Sequence, residues 1–418
     1  MLVLFMFLYY WRPEDLIPGL SWIPMAKVTG GIALLALIFG SGGMRRQKLP
    51  LEIKVLLLLL FYMVLTIPFA YWRGGAFNTV VNKFSKGVIV ALLLSLMVTE
   101  VQQMRKLLSI QLGAVAFVTF VSMAIHHTDK DGRLSGVQKS ILENPNDLAI
   151  NLAMNFPICM AFLLGAKGAP RKLLWGVSLA VMLLGTILTY SRSGLIAMVI
   201  TVLGCIWEYG IKGKRKSVLV GALALGMVGT VVILATPNYV TRIRSLFSGN
   251  IQGSNDRGSL EGRRELLVKS IQTALDHPIF GVGPGNFEVI DGQWRVAHNS
   301  YTELAAEAGF PALGLFLLLL VVSFRKINAV RKLPAYQTDE SIRLWTSGMW
   351  TSLAAYAAGS MFASTEYNLF PYIMVGYISA LYQIAKVSGG EVTAPDAENA
   401  NKNRFYGRNR KLEYRWSR

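Results

Sequence analysis

The chain has 418 residues, of which 53% are hydrophobic and only 16% are charged, and its formal net charge is +18. A soluble domain typically carries about 25% charged residues, so this composition argues against a string of soluble domains. The apolar residues also fall in blocks that approach the roughly 20 residues needed for a membrane-spanning helix. These blocks are continuous and do not alternate with polar residues, so they predict helices and argue against a closed barrel.

The apolar segments predict an all-α fold, a polytopic integral membrane helical bundle with about twelve transmembrane helices. In chain order the segments lie near 1–11, 27–43, 53–71, 85–99, 107–125, 147–165, 173–190, 193–210, 218–236, 301–324, 343–364 and 367–385. This pattern divides the chain into nine spans over 1–236, a long loop over 237–300, three spans over 301–386 and a basic tail over 387–418.

The distribution of Lys and Arg predicts the orientation of the bundle. Cytoplasmic loops of membrane proteins are enriched in these residues, and short loops carry most of the information. When both termini are placed in the cytoplasm, most of the Lys and Arg residues in the short loops fall on the cytoplasmic side. Loop 237–300 then faces the exterior, or periplasmic, side. The same rule explains the net charge, so no nucleic-acid partner is predicted.

The long loop begins with a flexible stretch, Ser248 to Ser259, and continues into an amphipathic helix from about Leu260 to Asp276. Arg263 and Arg264 both project toward the apolar side of this helix, so the periodicity does not choose between them as a phosphate ligand. The apolar face is predicted to consist of Leu260, Leu267, Ile271, Ala274 and Leu275.

A glycine- and proline-rich turn follows this helix, from His277 to Phe287. Its three glycines and two prolines predict a tight turn and exclude a regular helix, and no P-loop motif is present. His298 then stands immediately before the apolar run that begins near Tyr301. There a neutral imidazole is able to accept a proton, although a lone histidine at a helix start is more often structural.

Three further polar features interrupt the apolar segments. Arg192, in Tyr190-Ser191-Arg192-Ser193-Gly194, forms a charged break at the outer end of two spans, where it either reaches the headgroups or serves function. The stretch Asn144-Pro145-Asn146-Asp147 is typical of a turn and helix cap. Glu303 and Glu307 lie one turn apart near a helix start, and the helix dipole alone explains that position.

The joint order of these pieces resembles the bacterial O-antigen ligase family, which is related to the O-antigen polymerases and the protein O-oligosaccharyltransferases. The pieces are Arg133-Leu134, Asn144-Pro145-Asn146-Asp147, Ser191-Arg192-Ser193-Gly194, Gly262-Arg263, His277 to Phe287, and His298-Asn299-Ser300-Tyr301 leading to Glu307 and Gly309.

The resemblance implies transfer of a glycan from an undecaprenyl-diphosphate carrier to lipid A–core at the outer face of the bacterial inner membrane, with no metal or nucleotide cofactor. The implied catalytic residues are Arg192 and Arg263, which hold the diphosphate, and His298, which acts as general base with inversion at the anomeric carbon. Arg264 is a second candidate for phosphate contact, and Asn299 and Tyr301 are expected to orient the imidazole.

Three rival functions remain open. An O-antigen polymerase elongates glycan on the same carrier, and a protein O-oligosaccharyltransferase attaches glycan to Ser or Thr. A polysaccharide transporter or flippase belongs to a different class. Matching halves and a central cytoplasmic loop would favour it, and neither is evident in the sequence.

Overall fold

The computed structural model describes residues 2–11, 25–39, 49–129, 132–136, 144–221 and 254–390, and within these ranges the chain is helical without strands. The helices are α1 (Leu2–Trp11), α2 (Met25–Phe39), α3 (Leu51–Phe69), α4 (Arg73–Met97), α5 (Val101–Ala124), α6 (Pro145–Leu164), α7 (Ala169–Leu188), α8 (Arg192–Lys212), α9 (Ser254–Asp276), α10 (Phe287–Asp291), α11 (Ser300–Val330), α12 (Pro334–Thr338), α13 (Glu340–Gly359) and α14 (Leu369–Ser388).

Seven of the described helices are long and apolar enough to cross a membrane, namely α3 to α8 and α11. The predicted all-helical membrane protein is therefore confirmed, while the number of about twelve spans and the periplasmic position of the long loop stay predictions. Helices α1, α2, α13 and α14 coincide with four other predicted spans. The predicted span over 218–236 lies almost entirely outside the described residues.

Helix α6 is the centre of the bundle, because it packs against α7, α8 and α13 and most of its residues are buried. Pro157 lies inside this helix and has no N–H to offer the carbonyl of Ala153. The hydroxyl of Thr201 on α8 donates to that carbonyl at 3.0 Å. A neighbouring helix thus satisfies the backbone group that the proline leaves unpaired, as an apolar surrounding requires.

Helix α11 is broken at Gly309, where φ is 80° and ψ is 172°, and Pro311 follows the break. The carbonyls of Ala306 and Glu307 accept hydrogen bonds from the backbone of the glycine- and proline-rich turn, from Val282 N at 2.9 Å and from Gly283 N at 2.8 Å. The turn thereby pairs backbone groups that the break leaves free.

The turn itself has the conformation that its sequence predicts. Gly281, Gly283 and Gly285 have φ values of 64°, 105° and 74°, in the region that favours glycine. A Cβ at Gly281 would overlap the backbone of Glu307. The glycines are therefore needed both for the left-handed backbone and for the close approach to α11.

Two element boundaries differ from the prediction. Helix α9 begins at Ser254, so residues 254–259 are helical and only 248–253 of the predicted flexible stretch lie outside the described residues. Helix α4 begins at Arg73, twelve residues before the predicted span at 85, through a π-helical segment, Thr79–Phe84. Polar residues in both segments hide the helical continuation from a search for apolar runs.

The predicted apolar face of α9 is also partly wrong. Ala274 is buried, but Ile271 is 43% exposed and Leu275 is 64% exposed. The face that packs on α11 instead carries Leu266 and Ser270, against small residues such as Ala305 and Ala306. Small side chains allow the two helices to approach closely, so hydrophobicity alone does not identify this contact face.

Candidate functional site

His298 lies in a strained backbone conformation just before α11. Its φ is 55°, which is uncommon for a residue with a side chain and costs of the order of 1–3 kcal/mol. Such strain persists only where the surrounding structure holds it, and it is concentrated at functional sites. His126, Tyr190, Lys214 and Trp294 also have positive φ values, so the backbone conformation alone does not distinguish a functional histidine from a structural one.

The connection between α13 and α14 holds this conformation from both sides of His298. The hydroxyl of Ser364 accepts a hydrogen bond from His298 N at 3.1 Å and donates to the carboxylate of Glu303. Glu303 also accepts from Ala297 N at 2.9 Å, and Ser300 N donates to the Ala363 carbonyl at 3.0 Å. The histidine is thus fixed by a segment more than 60 residues further along the chain.

Arginines from three separate parts of the chain lie near one another: Arg263 and Arg133 are close enough to His298 to lower its pKa, and Arg192 is close to Arg263. Burial lowers the pKa of Arg263, and the positive charges of Arg192 and Arg133 lower it further. Arg192 opens α8, whose first turn is capped by the Ser191 hydroxyl, which accepts from Gly194 N at 3.1 Å. The structure therefore brings together Arg192, Arg263 and His298, which the sequence analysis singled out separately.

Arg133 is the member of this group to which the sequence analysis gave no role. Its guanidinium donates to the Thr189 carbonyl at 3.1 Å and to Asn146 Oδ1 at 2.8 Å. The same Asn146 oxygen accepts from the Ser191 hydroxyl at 2.8 Å. Arg133 thus ties the start of α6 to the start of α8. Its presence among the family motifs was the only indication of this position in the sequence.

The remaining predicted site residues have other surroundings. Arg264 is exposed, whereas Arg263 is half-buried and faces the arginine group. Asn299 caps α11, and its Oδ1 accepts from Tyr301 N at 3.0 Å and Thr302 N at 3.2 Å. The Tyr301 hydroxyl donates to the Ala357 carbonyl at 2.7 Å. Both residues therefore have clear structural roles, and their contact with the imidazole stays a prediction.

Glu303 and Glu307 make specific hydrogen bonds in addition to any interaction with the helix dipole. Glu307 accepts from Gly285 N at 2.7 Å, from Phe287 N at 2.9 Å and from the Tyr367 hydroxyl at 2.7 Å. With Glu366 they form a buried cluster in which one carboxylate oxygen of each residue lies within 4.8 Å of the other two. Helix position alone does not explain them, because they anchor the glycine-rich turn and the α13–α14 connection to α11.

A cavity of about 270 Å³ opens beside His298, and its wall includes His298, Asn146 and the three glutamates. Asn146 also accepts from Arg133, so one residue borders both the cavity and the arginine group. Glu366 was overlooked in the sequence although it is an isolated acid between two apolar segments. Arg192 was singled out because it is a charged residue between two apolar segments, and Glu366 meets the same description.

The electrostatic environment keeps the imidazole of His298 neutral. Burial lowers the pKa of His298 to about 4, and the charges of Arg263 and Arg133 contribute to the shift. A neutral imidazole near pH 7 is able to accept a proton. Arg263 and its neighbour Arg192 offer positive charge and forks of donors suited to phosphate oxygens, and Arg133 adds a third positive charge. The arrangement is able to combine proton abstraction with stabilisation of a phosphate leaving group.

These features define a helical membrane protein with a histidine–arginine site at one end of its bundle. Residues 177–317, about a third of the chain, match the model of a protein family described as O-antigen ligase. The match confirms the resemblance drawn from the motifs. No curated protein matches the chain. The family covers O-antigen ligases and related polymerases, which are membrane glycosyltransferase-like enzymes.

Proposed function

We propose that this protein is an O-antigen ligase, which transfers O-antigen polysaccharide from undecaprenyl diphosphate to lipid A–core during lipopolysaccharide synthesis. The observation that carries the proposal is the neutral His298 beside Arg133 and Arg263, with Arg192 next to Arg263, in a helical membrane bundle. The family match over 177–317 supports it. Both termini lie on the cytoplasmic side of the inner membrane, and the site faces the periplasm.

The reaction follows from the chemistry of these groups. An imidazole nitrogen of His298 takes the proton of an acceptor hydroxyl, and the oxygen attacks the anomeric carbon of the donor sugar from the side opposite the diphosphate. The bond between that carbon and the diphosphate oxygen breaks, and its electron pair leaves with the phosphate. Arg192 and Arg263 hold the diphosphate and stabilise the charge that develops on it. A single in-line displacement inverts the anomeric carbon.

The first test replaces His298 with Ala and measures polymer transfer to lipid A–core in cells that lack their own ligase. Loss of a general base typically lowers the rate about 10²- to 10⁴-fold, so transfer should nearly disappear while the protein still inserts in the membrane. His277→Ala is the matched control, because His277 is exposed in the same loop. Undiminished transfer by the His298→Ala protein would rule out the base role.

The second test replaces the arginines with lysine, which keeps the positive charge and removes the bidentate fork. We expect Arg192→Lys and Arg263→Lys each to raise the KM for the lipid-linked donor about tenfold or more. Arg264→Lys should leave the KM near that of the native enzyme, since Arg264 is exposed. If Arg264→Lys is the damaging change, Arg264 and not Arg263 is the phosphate ligand.

An O-antigen polymerase is the second candidate, because the matching family also covers related polymerases. It would use the same donor site, so the arginine and histidine variants do not distinguish a ligase from a polymerase. The product of the reaction distinguishes them. Purified protein supplied with the lipid-linked donor and lipid A–core yields polymer on lipid A–core if it is a ligase, and longer glycan on undecaprenyl diphosphate if it is a polymerase. Transfer in detergent also excludes transport as the sole activity, since no gradient is present.

A further inference from the structure

The cavity beside His298 differs in chemistry from the arginine group. It is lined by five carboxyl side chains and the ammonium of Lys83, and none of the three arginines is among its described lining residues. The five are Asp147, Glu288, Glu303, Glu307 and Glu366. Guanidinium groups suit a diphosphate, whereas carboxyl groups suit a ligand that exchanges hydrogen bonds with them. The cavity and the arginine group are therefore suited to two chemically different ligands.

The wall of the cavity contains a buried carboxyl oxygen without a hydrogen-bond partner among the described residues. Glu366 is 2% exposed and lines the cavity, and its Oε2 has no hydrogen-bond partner among the described residues. A buried polar atom left without a partner costs about 1–3 kcal/mol. Burial and the neighbouring Glu307 also raise the pKa of Glu366, which favours the neutral acid. Glu366 is thus ready to exchange hydrogen bonds with a ligand that enters the cavity.

The other acids of the cluster are already committed as acceptors. Both carboxylate oxygens of Glu307 accept backbone N–H groups, and one accepts the Tyr367 hydroxyl as well. Glu303 accepts from Ala297 N and from the Ser364 hydroxyl. A divalent cation needs about six oxygen ligands, whereas three of the six carboxylate oxygens of this cluster already accept hydrogen bonds. A ligand with hydroxyl groups needs fewer acceptors, and Glu366 Oε2 is one that a hydroxyl is able to use.

We propose that this cavity binds the terminal sugar of the acceptor glycan, with one hydroxyl of that sugar hydrogen-bonded to Glu366 and another facing His298. The inference rests on the proposed transferase function. The volume of about 270 Å³ is near the lower end of ligand pockets, which run from about 300 Å³ upward, and fits a sugar unit better than a polymer. The carboxyl groups of the lining are able to exchange hydrogen bonds with sugar hydroxyls.

The test compares two substitutions of Glu366 in the purified full-length protein, with rough lipopolysaccharide (lipid A–core without polymer) as acceptor. Glu366→Gln keeps the shape and hydrogen-bonding groups of the neutral acid, so the acceptor KM should stay within about threefold. Glu366→Leu removes them and should raise the acceptor KM at least about tenfold. The donor KM should not change in either variant, because the donor is held by the arginines.

Three outcomes would overturn the inference. An unchanged acceptor KM in Glu366→Leu would mean that the acceptor binds elsewhere. Equal damage by Gln and Leu, with restoration of the native enzyme by Mg²⁺ after chelation, would identify a cation site instead. A raised donor KM would assign the cavity to the donor.

Controls separate these results from misfolding and from failure of the proposed function. Glu340→Gln is the matched substitution at the opposite end of α13, where the side chain is exposed, and it should leave both KM values unchanged. If Glu366→Leu does not yield folded protein, Val296→Phe fills the cavity from another wall and should raise the acceptor KM similarly. Absence of transfer by the native enzyme would refute the transferase function itself, independently of any variant.

Discussion

At the scale of single residues, the depressed pKa of His298 predicts the pH dependence of the reaction. The base form persists down to pH about 4, so kcat/KM should stay level from neutral pH to about 5 and fall as the pH drops through 4. In the donor complex the diphosphate offsets the arginine charges and raises the pKa of His298. The acidic limb of the kcat profile should therefore lie at a higher pH than that of kcat/KM.

Replacing Arg133 with Gln tests the electrostatic part of this account. The side chain of Gln is still able to hydrogen-bond to its neighbours, but it no longer carries the charge that lowers the pKa of His298. The midpoint of the acidic limb of kcat/KM should therefore move to higher pH. Arg264→Gln removes an equal charge from an exposed position and should leave the midpoint in place. An unchanged midpoint in Arg133→Gln would show that the charge of Arg133 does not contribute to the pKa of His298.

The candidate site residues that the sequence singled out are those with a local signal. Arg192 interrupts an apolar region and His298 precedes one, so each is visible without knowledge of the fold. Asn299 also has a local explanation, since asparagine is a favoured N-cap, and that role is the one the structure supports. The position of Arg133 beside His298 was not predictable, because it depends on contacts with residues more than 50 positions away.

At the scale of elements, the break in α11 requires glycine at position 309. A Cβ there would overlap the carbonyl oxygen of Ile279, and the φ of 80° is unfavourable for any side chain. Gly309→Ala should destabilise the protein by about 2–3 kcal/mol or more, seen as a lower melting temperature in detergent. The glycine-rich turn packs on the break, so transfer activity should fall as well.

Gly314 provides the control for this substitution. It lies in the same helix five residues further on, and a Cβ there meets no atom within 4 Å. Gly314→Ala should leave the melting temperature unchanged or raise it, because alanine favours the helix by roughly 0.5–1 kcal/mol. Equal stability of the two variants would contradict the steric account of the break.

At the scale of the whole molecule, the orientation is testable with introduced cysteines. Cys159 and Cys205 are buried and should give little background. Asp276→Cys, at the exposed end of α9, should react in intact cells with a membrane-impermeant maleimide that crosses the outer membrane. Gln337→Cys, in the connection between α11 and α13, should react only after the inner membrane is opened. The reverse labelling pattern would show that the bundle has the opposite orientation in the membrane.

The apolar blocks were sufficient to predict an all-helical membrane bundle, because a long apolar run is the direct requirement for a helix that crosses lipid. They do not predict how the helices are arranged relative to one another. The cluster of Glu303, Glu307 and Glu366 forms only because the connection after α13 meets the glycine-rich turn and α11. No periodicity encodes that meeting, so a single sequence read segment by segment treats these acids as separate features.

The strained histidine also has a consequence for biosynthesis. His298 is held by Ser364, which leaves the ribosome 66 residues later, or roughly 3–13 s at ordinary rates of elongation. During that interval the nascent chain has the arginines and the histidine but lacks the segment that fixes the backbone of His298. A polypeptide that terminates soon after Val330 would be unable to assemble the site. If the proposed function holds, the protein should therefore be inactive until its last helices are in place, and an incomplete copy should leave the lipid-linked donor unused.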